Sequence, residues 1–163
     1  MSRSDRPRGT AKDRALRLLG VRARSREELR RRLAQAGFEA EDIHSALDDL
    51  EAVGLIDDDR FAREMAAYEM RRRSVGRRAA LASLRRKGIG PDLAERVVEE
   101  MAPADEEDQA LGLARERLAR LNGLADDVAY RRLVGFLQRR GYDARVAHAA
   151  CRRALSERQG VVA

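Results

Sequence analysis

The sequence predicts an all-α protein made of three tandem three-helix repeats that form an elongated, curved array. Hydrophobic residues make up 44% of the 163 residues but aromatic residues only 4%, and strand-like runs of Val, Ile and Thr are absent. A short helix-ending phrase occurs three times, as LAQAGF, LRRKGI and LQRRGY. Charged residues reach 38%, which suits thin amphipathic units with much surface rather than one thick globule.

The three phrases mark equivalent points of an internal repeat. Their glycines, Gly37, Gly88 and Gly141, are separated by 51 and 53 residues. An ungapped alignment on these glycines gives seven positions that are apolar in every copy, and their spacing is that of one helix face. The aligned triplets are Leu29, Ala80 and Leu133; Leu33, Leu84 and Leu137; Phe38, Ile89 and Tyr142; Ile43, Ala94 and Ala147; Ala46, Val97 and Ala150; Leu47, Val98 and Cys151; and Leu50, Met101 and Ala154.

The first helix of each repeat precedes the aligned part. We predict these helices over residues 10–19, 58–73 and 105–121. A second and a third helix then flank the aligned glycine. The first helices are predicted to face inward through Ala15, Leu16 and Leu19; Phe61, Ala62, Met65 and Tyr68; and Leu111, Ala114, Leu118 and Leu121.

Capping residues indicate where the helices begin and end. Ser25, with Glu28 three positions later, predicts a capping box, and Pro91 suits a first helical position. Asp126 and Asp143 are predicted N-caps. The glycines predicted to end helices are Gly20, Gly37, Gly54, Gly88, Gly123 and Gly141.

These elements set the predicted boundaries of the repeats. Repeat 1 covers residues 10–53, repeat 2 covers 54–102 and repeat 3 covers 103–157. A disordered N-terminus (1–9) precedes them and a C-terminal tail (158–163) follows. One unit of this size has a small core and is marginal alone, so neighbouring units are expected to stack or to share a long connecting helix.

Composition and motifs disfavour several classes of protein. The single cysteine excludes an internal disulfide, the N-terminus lacks the apolar region of a secretory signal, and no apolar run approaches the ~20 residues of a membrane span. We expect a soluble, cytoplasmic monomer without a membrane partner.

Catalytic and metal-binding residues are few. His148 and Cys151 would supply half of a zinc site, with no second pair to complete it, and His44 lies on an otherwise acidic helix. The acids of residues 56–59 suit the positive end of a helix dipole. Phosphate-binding glycine loops, nucleophile elbows and zinc-protease motifs are absent. We expect no catalysis, no metal and no cofactor.

Basic clusters supply the candidate binding residues. The net charge of +6 divides into blocks of +8 over residues 1–36, −9 over 37–70, +8 over 71–90, −7 over 91–108, +2 over 109–125 and +4 over 126–163. Blocks of alternating sign indicate separate surfaces for separate partners, or modules that pair with each other. The candidates for binding a partner or phosphate are Arg30, Arg31, Arg32, Arg71, Arg72, Arg73, Arg77, Arg78, Arg85, Arg86, Lys87, Arg131, Arg132, Arg139 and Arg140.

The same charge pattern argues against a helix-turn-helix reader of DNA bases. In such a reader the second helix enters the major groove, but the helix after the glycine is acidic in repeats 1 and 2 and would be repelled by phosphates. Only repeat 3, with Arg145, Arg152 and Arg153, has a basic helix there. Non-specific binding of phosphates and binding of an acidic protein surface both stay open.

Residues 54–89, GLIDDDRFAREMAAYEMRRRSVGRRAALASLRRKGI, resemble the central signature of the RecX family, which regulates the bacterial RecA recombinase. SREELRRRLAQAGF is similar to the family's first-unit helix, and the triplicated layout extends the resemblance over residues 10–157. The positions that match the central signature are Gly54, Leu55, Ile56, Asp58, Arg60, Phe61, Ala62, Arg73, Gly76, Leu84, Lys87, Gly88 and Ile89.

The resemblance implies tandem three-helix repeats and a non-enzymatic role. It implies binding to RecA filaments on single-stranded DNA along the helical groove, with inhibition of the recombinase, ATPase and co-protease activities. Capping of a growing filament and destabilisation along its length are both compatible with the sequence. The alternative function is a helical repeat module that binds nucleic acid non-specifically, without acting on RecA. A third hypothesis is a bare helical scaffold for some other partner.

Overall fold

A computed structural model describes residues 9–160, and every regular element in that range is helical. Its α-helices are α1 Ala11–Val21, α2 Arg26–Gln35, α3 Ala40–Ala52, α4 Asp58–Ala67, α5 Arg77–Arg86, α6 Pro91–Met101, α7 Glu106–Ala119, α8 Asp126–Arg139 and α9 Ala144–Gly160. A π-helical turn, Tyr68–Arg72, extends α4. The predicted all-α fold of tandem three-helix repeats is confirmed: α1–α3 form unit 1, α4–α6 unit 2 and α7–α9 unit 3.

Each unit has a hydrophobic core of its own. The aligned apolar positions are buried in all three units, apart from Phe38 and Met101, which are partly buried. Burying one leucine or valine side chain stabilises a fold by roughly 1.5–3 kcal/mol. These repeated positions therefore hold each three-helix unit together.

Most of the predicted helix ends are observed. Gly37, Gly54, Gly88, Gly123 and Gly141 follow helices with φ between 73° and 88°, the left-handed conformation that glycine adopts without a Cβ penalty. Pro91 is the first residue of α6. The Asp143 carboxylate accepts from the Val146 amide at 3.0 Å, as an N-cap does.

Three capping predictions differ from the structure. Gly20 lies inside α1, which continues to Val21. Ser25 accepts from the Glu28 amide at 3.1 Å, but the Glu28 carboxylate turns to arginines, so the capping box is only half formed. Asp126 is the first residue of α8 rather than its N-cap, because its carboxylate is drawn to the end of α9.

Two inward-facing predictions are wrong for geometric reasons. Leu16 is 42% exposed and Leu18 is buried in its place, because α1 presents a neighbouring stripe to the core. Tyr68 is 58% exposed. The buried side chains of unit 2 run through Ala66 to Met70, and the π-helical turn at this point rotates Tyr68 outward.

The last helix is longer than predicted. α9 continues to Gly160, three residues into the predicted tail. Arg158 pairs with Asp126, and Gln159 donates to the same carboxylate at 2.6 Å, which ties the last turn to α8. The disorder predicted for residues 1–8 and the tail at 161–163 lie outside the described residues.

Units 1 and 2 meet through helix ends, at the first joint. The Ser25 hydroxyl at the start of α2 donates to the Lys87 carbonyl at the end of α5, and the Arg26 amide donates to the Asp58 carboxylate at 2.8 Å. Gly88 packs directly on the Glu27 side chain. Every one of these contacts uses a side chain of unit 1 or unit 2.

Units 2 and 3 meet in the same head-to-tail way at the second joint, but through backbone. At the start of α5 the Gly76 amide donates to the Arg140 carbonyl at 2.9 Å, and the Arg78 amide to the Gly141 carbonyl at 3.1 Å. The buried Tyr142 donates its hydroxyl to the Ser74 carbonyl at 3.1 Å. Burial raises the pKa of Tyr142 to about 12, so the hydroxyl keeps its proton.

The two joints arrange the middle helices α8, α5 and α2 in sequence, each C-terminal end against the N-terminal end of the next. This pairing sets the negative end of one helix dipole against the positive end of another. Extensive packing of helix faces occurs only within a unit. The array is therefore extended along this column of middle helices.

Candidate partner-binding surface

The arginines of the basic cluster of unit 1 pair with two glutamates on their own helix. Arg30 and Arg31 donate to the Glu27 carboxylate at 2.7 and 2.8 Å, and the hydrogen bond from Arg30 lowers the pKa of Glu27 to about 2. Arg32 lies 3.6 Å from a Glu28 oxygen. Each guanidinium faces a carboxylate, but the three arginines share two glutamates, so the positive charge of this cluster is only partly neutralised.

Glu28 gathers cations from both sides of the first joint. Its carboxylate pairs with Arg22 and Arg24 of unit 1 and lies 3.6 Å from the Lys87 ammonium of unit 2. Burial raises the pKa of Glu28, but hydrogen bonds from the two arginines outweigh burial and hold the pKa below its usual value. Lys87 is thus part of the joint.

Some predicted binding residues of unit 2 are engaged within the protein. Arg77 pairs with Glu99 of α6 and, at 2.9 Å, with Glu106 of α7. Arg85 pairs with Glu95 of α6 at 2.7 Å. These two arginines tie helices together, so their charge is already used.

Other candidates keep their charge free. Several exposed arginines have no carboxylate partner among residues 9–160. They are Arg71, Arg72, Arg78, Arg132 and Arg139. Arg86 donates to the neutral Ser83 hydroxyl at 2.7 Å. Arg73 and Arg131 each pair with an acid one turn earlier on the same helix, at 3.1 Å.

Arg140 belongs to the second joint. Its guanidinium donates to the Ser74 carbonyl at 3.2 Å and to the Arg73 carbonyl at 2.5 Å. The same guanidinium lies over the Phe136 ring, 5.8 Å from its centroid. Arg140 therefore holds the loop before α5 against unit 3.

A groove at the second joint brings the free arginines of two units together. Arg73, Arg78 and Arg86 come from unit 2 and Arg139 from unit 3. We call this feature the joint groove. Arg131 and Arg132, nearly two turns earlier on α8, do not line it.

The sequence reasoning missed the residues that shape this groove. Ser74 has φ of 48°, a left-handed conformation that is uncommon outside glycine, and its carbonyl receives both Arg140 and Tyr142. Gly76 is needed because a Cβ there would collide with the backbone of Gly141 and Tyr142. The Gly76 match to the family signature was the one available signal; none marked Ser74.

The residues weighed for chemistry have structural surroundings. Cys151 is buried, and burial raises the pKa of its thiol to about 11, which keeps it protonated. His148 shares a 2.7 Å hydrogen bond with the Tyr130 hydroxyl, and His44 is exposed beside Asp48. Within residues 9–160 no three His, Cys, Asp or Glu residues are grouped so that they could hold a metal ion.

The fold and surface define a class: a helical repeat protein with an open, charged surface. The chain belongs to the RecX family. The first RecX three-helix domain matches residues 11–50, the second matches 57–98 and the third matches 105–151. These ranges follow units 1, 2 and 3 in order.

Curated relatives and solved structures agree with this membership. The regulatory protein RecX of Amycolatopsis mediterranei is 37% identical over 147 residues, which cover 90% of this chain and 84% of that protein. The one from Corynebacterium efficiens is 39% identical over 150 residues, covering 89% and 71%. The crystal structure of RecX from Lactobacillus salivarius shares the fold, with a TM-score of 0.81 at 18% identity over 88% of this chain and 94% of that one. Among residues 9–160 no helix combines the length and hydrophobicity needed to cross a lipid bilayer.

Proposed function

We propose that this protein is a non-enzymatic regulator of the RecA recombinase. In this proposal it binds RecA filaments on single-stranded DNA along the helical groove and inhibits their recombinase, ATPase and co-protease activities. The observation that carries the proposal is that all three RecX domains match in order, and that the relatives are named regulatory proteins. We infer RecA as the partner from the resemblance of residues 54–89 to the family signature.

The architecture supports a filament as the partner. Three units joined end to end present separate charged surfaces along one column, and a filament repeats the same surface from protomer to protomer. Several weak contacts then add through effective concentration to a tight complex. A cavity that could enclose a small substrate is not required for this action.

Cosedimentation with RecA filaments assembled on single-stranded DNA tests the proposal. We expect the protein to pellet with the filaments and to stay in the supernatant when RecA and DNA are omitted. Failure to pellet at micromolar concentrations would contradict filament binding. The DNA must also be tested without RecA, because DNA alone is the partner in the alternative below.

The alternative is a nucleic-acid-binding repeat module that does not act on RecA. The unpaired arginines of α5 and α8 favour it, since phosphates are natural partners of free guanidinium groups. Cosedimentation with bare DNA, together with unchanged RecA activity, would support this alternative over the main proposal.

A further inference from the structure

The joint groove lies where the end of α8 meets the start of α5. Its rim carries Arg73, Arg78 and Arg86 from unit 2 and Arg139 from unit 3. A ligand in the groove would contact both units at once. The backbone hydrogen bonds of the second joint fix the relative position of the two walls.

The groove holds more positive charge than the protein neutralises. Arg78 and Arg139 have no carboxylate partner among residues 9–160, and Arg86 donates to a neutral hydroxyl. The one carboxylate that lines the groove, Glu69, pairs with Arg73. Three guanidinium charges are left for a ligand.

The shape of the groove selects among anionic ligands. Several of its other lining residues are small, including Ala79, Ala82 and Gly141, and no aromatic ring lines it. Nucleic-acid bases would find nothing to stack on, and an apolar anchor residue of a protein partner would find no pocket. Phosphate groups need only the guanidinium forks, which match their oxygens in bidentate geometry.

The basic path continues beyond the groove. Arg78 and Arg86 also line a shallow depression on the outer face of α5, together with Leu81, Ala82 and Arg85. A linear ligand with charges at regular intervals can follow this path, whereas a single small anion would use only part of it.

We propose that the joint groove binds the phosphodiester backbone of nucleic acid, without preference for sequence and without RecA. The guanidinium groups of Arg78, Arg86 and Arg139 bind the phosphates in bidentate geometry from both walls. The bound strand bridges units 2 and 3 and strengthens the second joint. This inference does not depend on the proposed action on RecA.

Fluorescence anisotropy with a labelled oligo-dT of about 20 nucleotides tests the inference, since small single-strand-binding domains cover ~4–16 nucleotides. We expect Arg78→Glu/Arg139→Glu to weaken binding by at least about tenfold, because charge-assisted contacts are lost. The matched control, Arg14→Glu/Arg120→Glu, changes the same charge at exposed positions outside the groove. We expect the control to change affinity by less than about threefold, through the general field alone.

A milder variant separates the loss of direct phosphate contacts from the change in the general electrostatic field. With Arg78→Ala/Arg139→Ala, the slope of log affinity against log salt should fall by about 1.4, since each phosphate contact on a single strand contributes roughly 0.7. Circular dichroism melts verify that every variant is folded. Equal losses in the groove variant and the control would overturn the inference.

The ligand class and the proposed function are tested separately. Poly-glutamate of similar length is the competing ligand. If it binds as tightly as oligo-dT, and if the groove variant loses this binding, the assignment to nucleic acid is overturned in favour of an acidic protein. Loss of oligo-dT binding with intact RecA inhibition would support the groove as a separate site. Failure to inhibit RecA alongside groove-dependent oligo-dT binding would reject the proposed function and leave the inference standing.

Discussion

Neighbouring arginines of the same helix have different surroundings in this protein. Arg77 and Arg78 are adjacent on the first turn of α5, yet Arg77 pairs with two glutamates and Arg78 pairs with none of the described carboxylates. Sequence identifies both as basic, but the position of α6 and α7 around the helix decides which one is free. Candidate residues chosen by charge clustering therefore mix structural and free cations.

Alanine substitutions of Arg77 and Arg78 should have different effects. Arg77→Ala should lower the free energy of unfolding by about 0.2–1 kcal/mol, the usual worth of partly solvated ion pairs. Arg78→Ala should leave stability within about 0.5 kcal/mol while weakening oligo-dT binding. Urea melts and anisotropy on the same two variants measure both effects. Destabilisation by Arg78→Ala as large as by Arg77→Ala would contradict the assigned roles.

The lowered pKa of Glu27 predicts how the stability of the fold depends on pH. Its folded pKa of about 2 lies below the ordinary value of 4.5, so its ion pairs contribute stability that is present above about 4.5 and is lost as pH falls to about 2. Glu27→Gln should reduce the loss of stability over this window. Thermal melts at several pH values compare it with Glu116→Gln, an exposed glutamate without an ion pair in the described chain. An identical acid response in the two variants would contradict this role of Glu27.

At the scale of the helices, the aligned glycines do more than end a helix. Gly88 and Gly141 each lie against the start of the next middle helix, where a Cβ would collide with Glu27 or Ala79. The sequence predicts these glycines as helix stops because repeat and periodicity suffice for that. It does not predict the close approach, which depends on how the next unit docks.

Alanine substitutions separate these two roles. Gly141→Ala should cost roughly 1–2 kcal/mol for its left-handed backbone and a further 1–3 kcal/mol for overpacking against Ala79. Gly123→Ala is the matched control, since Gly123 has φ of 84° but no atom within 4 Å of the added Cβ. Urea denaturation gives both values. Equal destabilisation in the two variants would show that the second joint tolerates the extra carbon.

The repeat predicts the helices well, but it predicts the inward face of the first helix of a unit less well. All seven aligned positions lie in the cores because a helix face follows from apolar spacing alone. Tyr68 and Leu16 are exposed although their apolar spacing predicts that they face inward. The π-helical turn and the rotation of α1 that expose them depend on tertiary packing. The joint groove is not predicted either, because its walls are 52 or more residues apart in sequence, as Arg86 and Gln138 show.

At the scale of the whole molecule, the two joints differ in the forces that hold them. The first joint uses side chains, including the Glu28–Lys87 contact at 3.6 Å. The second uses backbone hydrogen bonds from Gly76 and Arg78 and the buried Tyr142, together with one ion pair between Arg77 and Glu106 at 2.9 Å. Ionic contacts between partly exposed side chains weaken as salt rises, whereas buried backbone bonds do not. The attachment of unit 1 should therefore respond more strongly to ionic strength than the attachment of unit 3, which also has the backbone hydrogen bonds.

Hydrogen exchange tests this difference. Raising salt from about 0.05 M to about 1 M shortens the screening length severalfold, and should speed exchange at the first joint, around the start of α2. The amides of Gly76 and Arg78 should keep their protection, because each donates to a carbonyl of unit 3. Faster exchange at both joints alike would contradict the distinction.

The most direct test of the central claim is the rate of ATP hydrolysis by RecA on single-stranded DNA as this protein is titrated in. The account predicts inhibition by the wild-type protein. It predicts roughly tenfold weaker inhibition by Arg71→Glu/Arg72→Glu, two exposed arginines without ion pairs in the described chain, if two charge-assisted contacts are lost. Arg14→Glu/Arg120→Glu is the matched control and should inhibit as the wild type does. An unchanged rate of hydrolysis at micromolar excess of the wild-type protein would contradict the account.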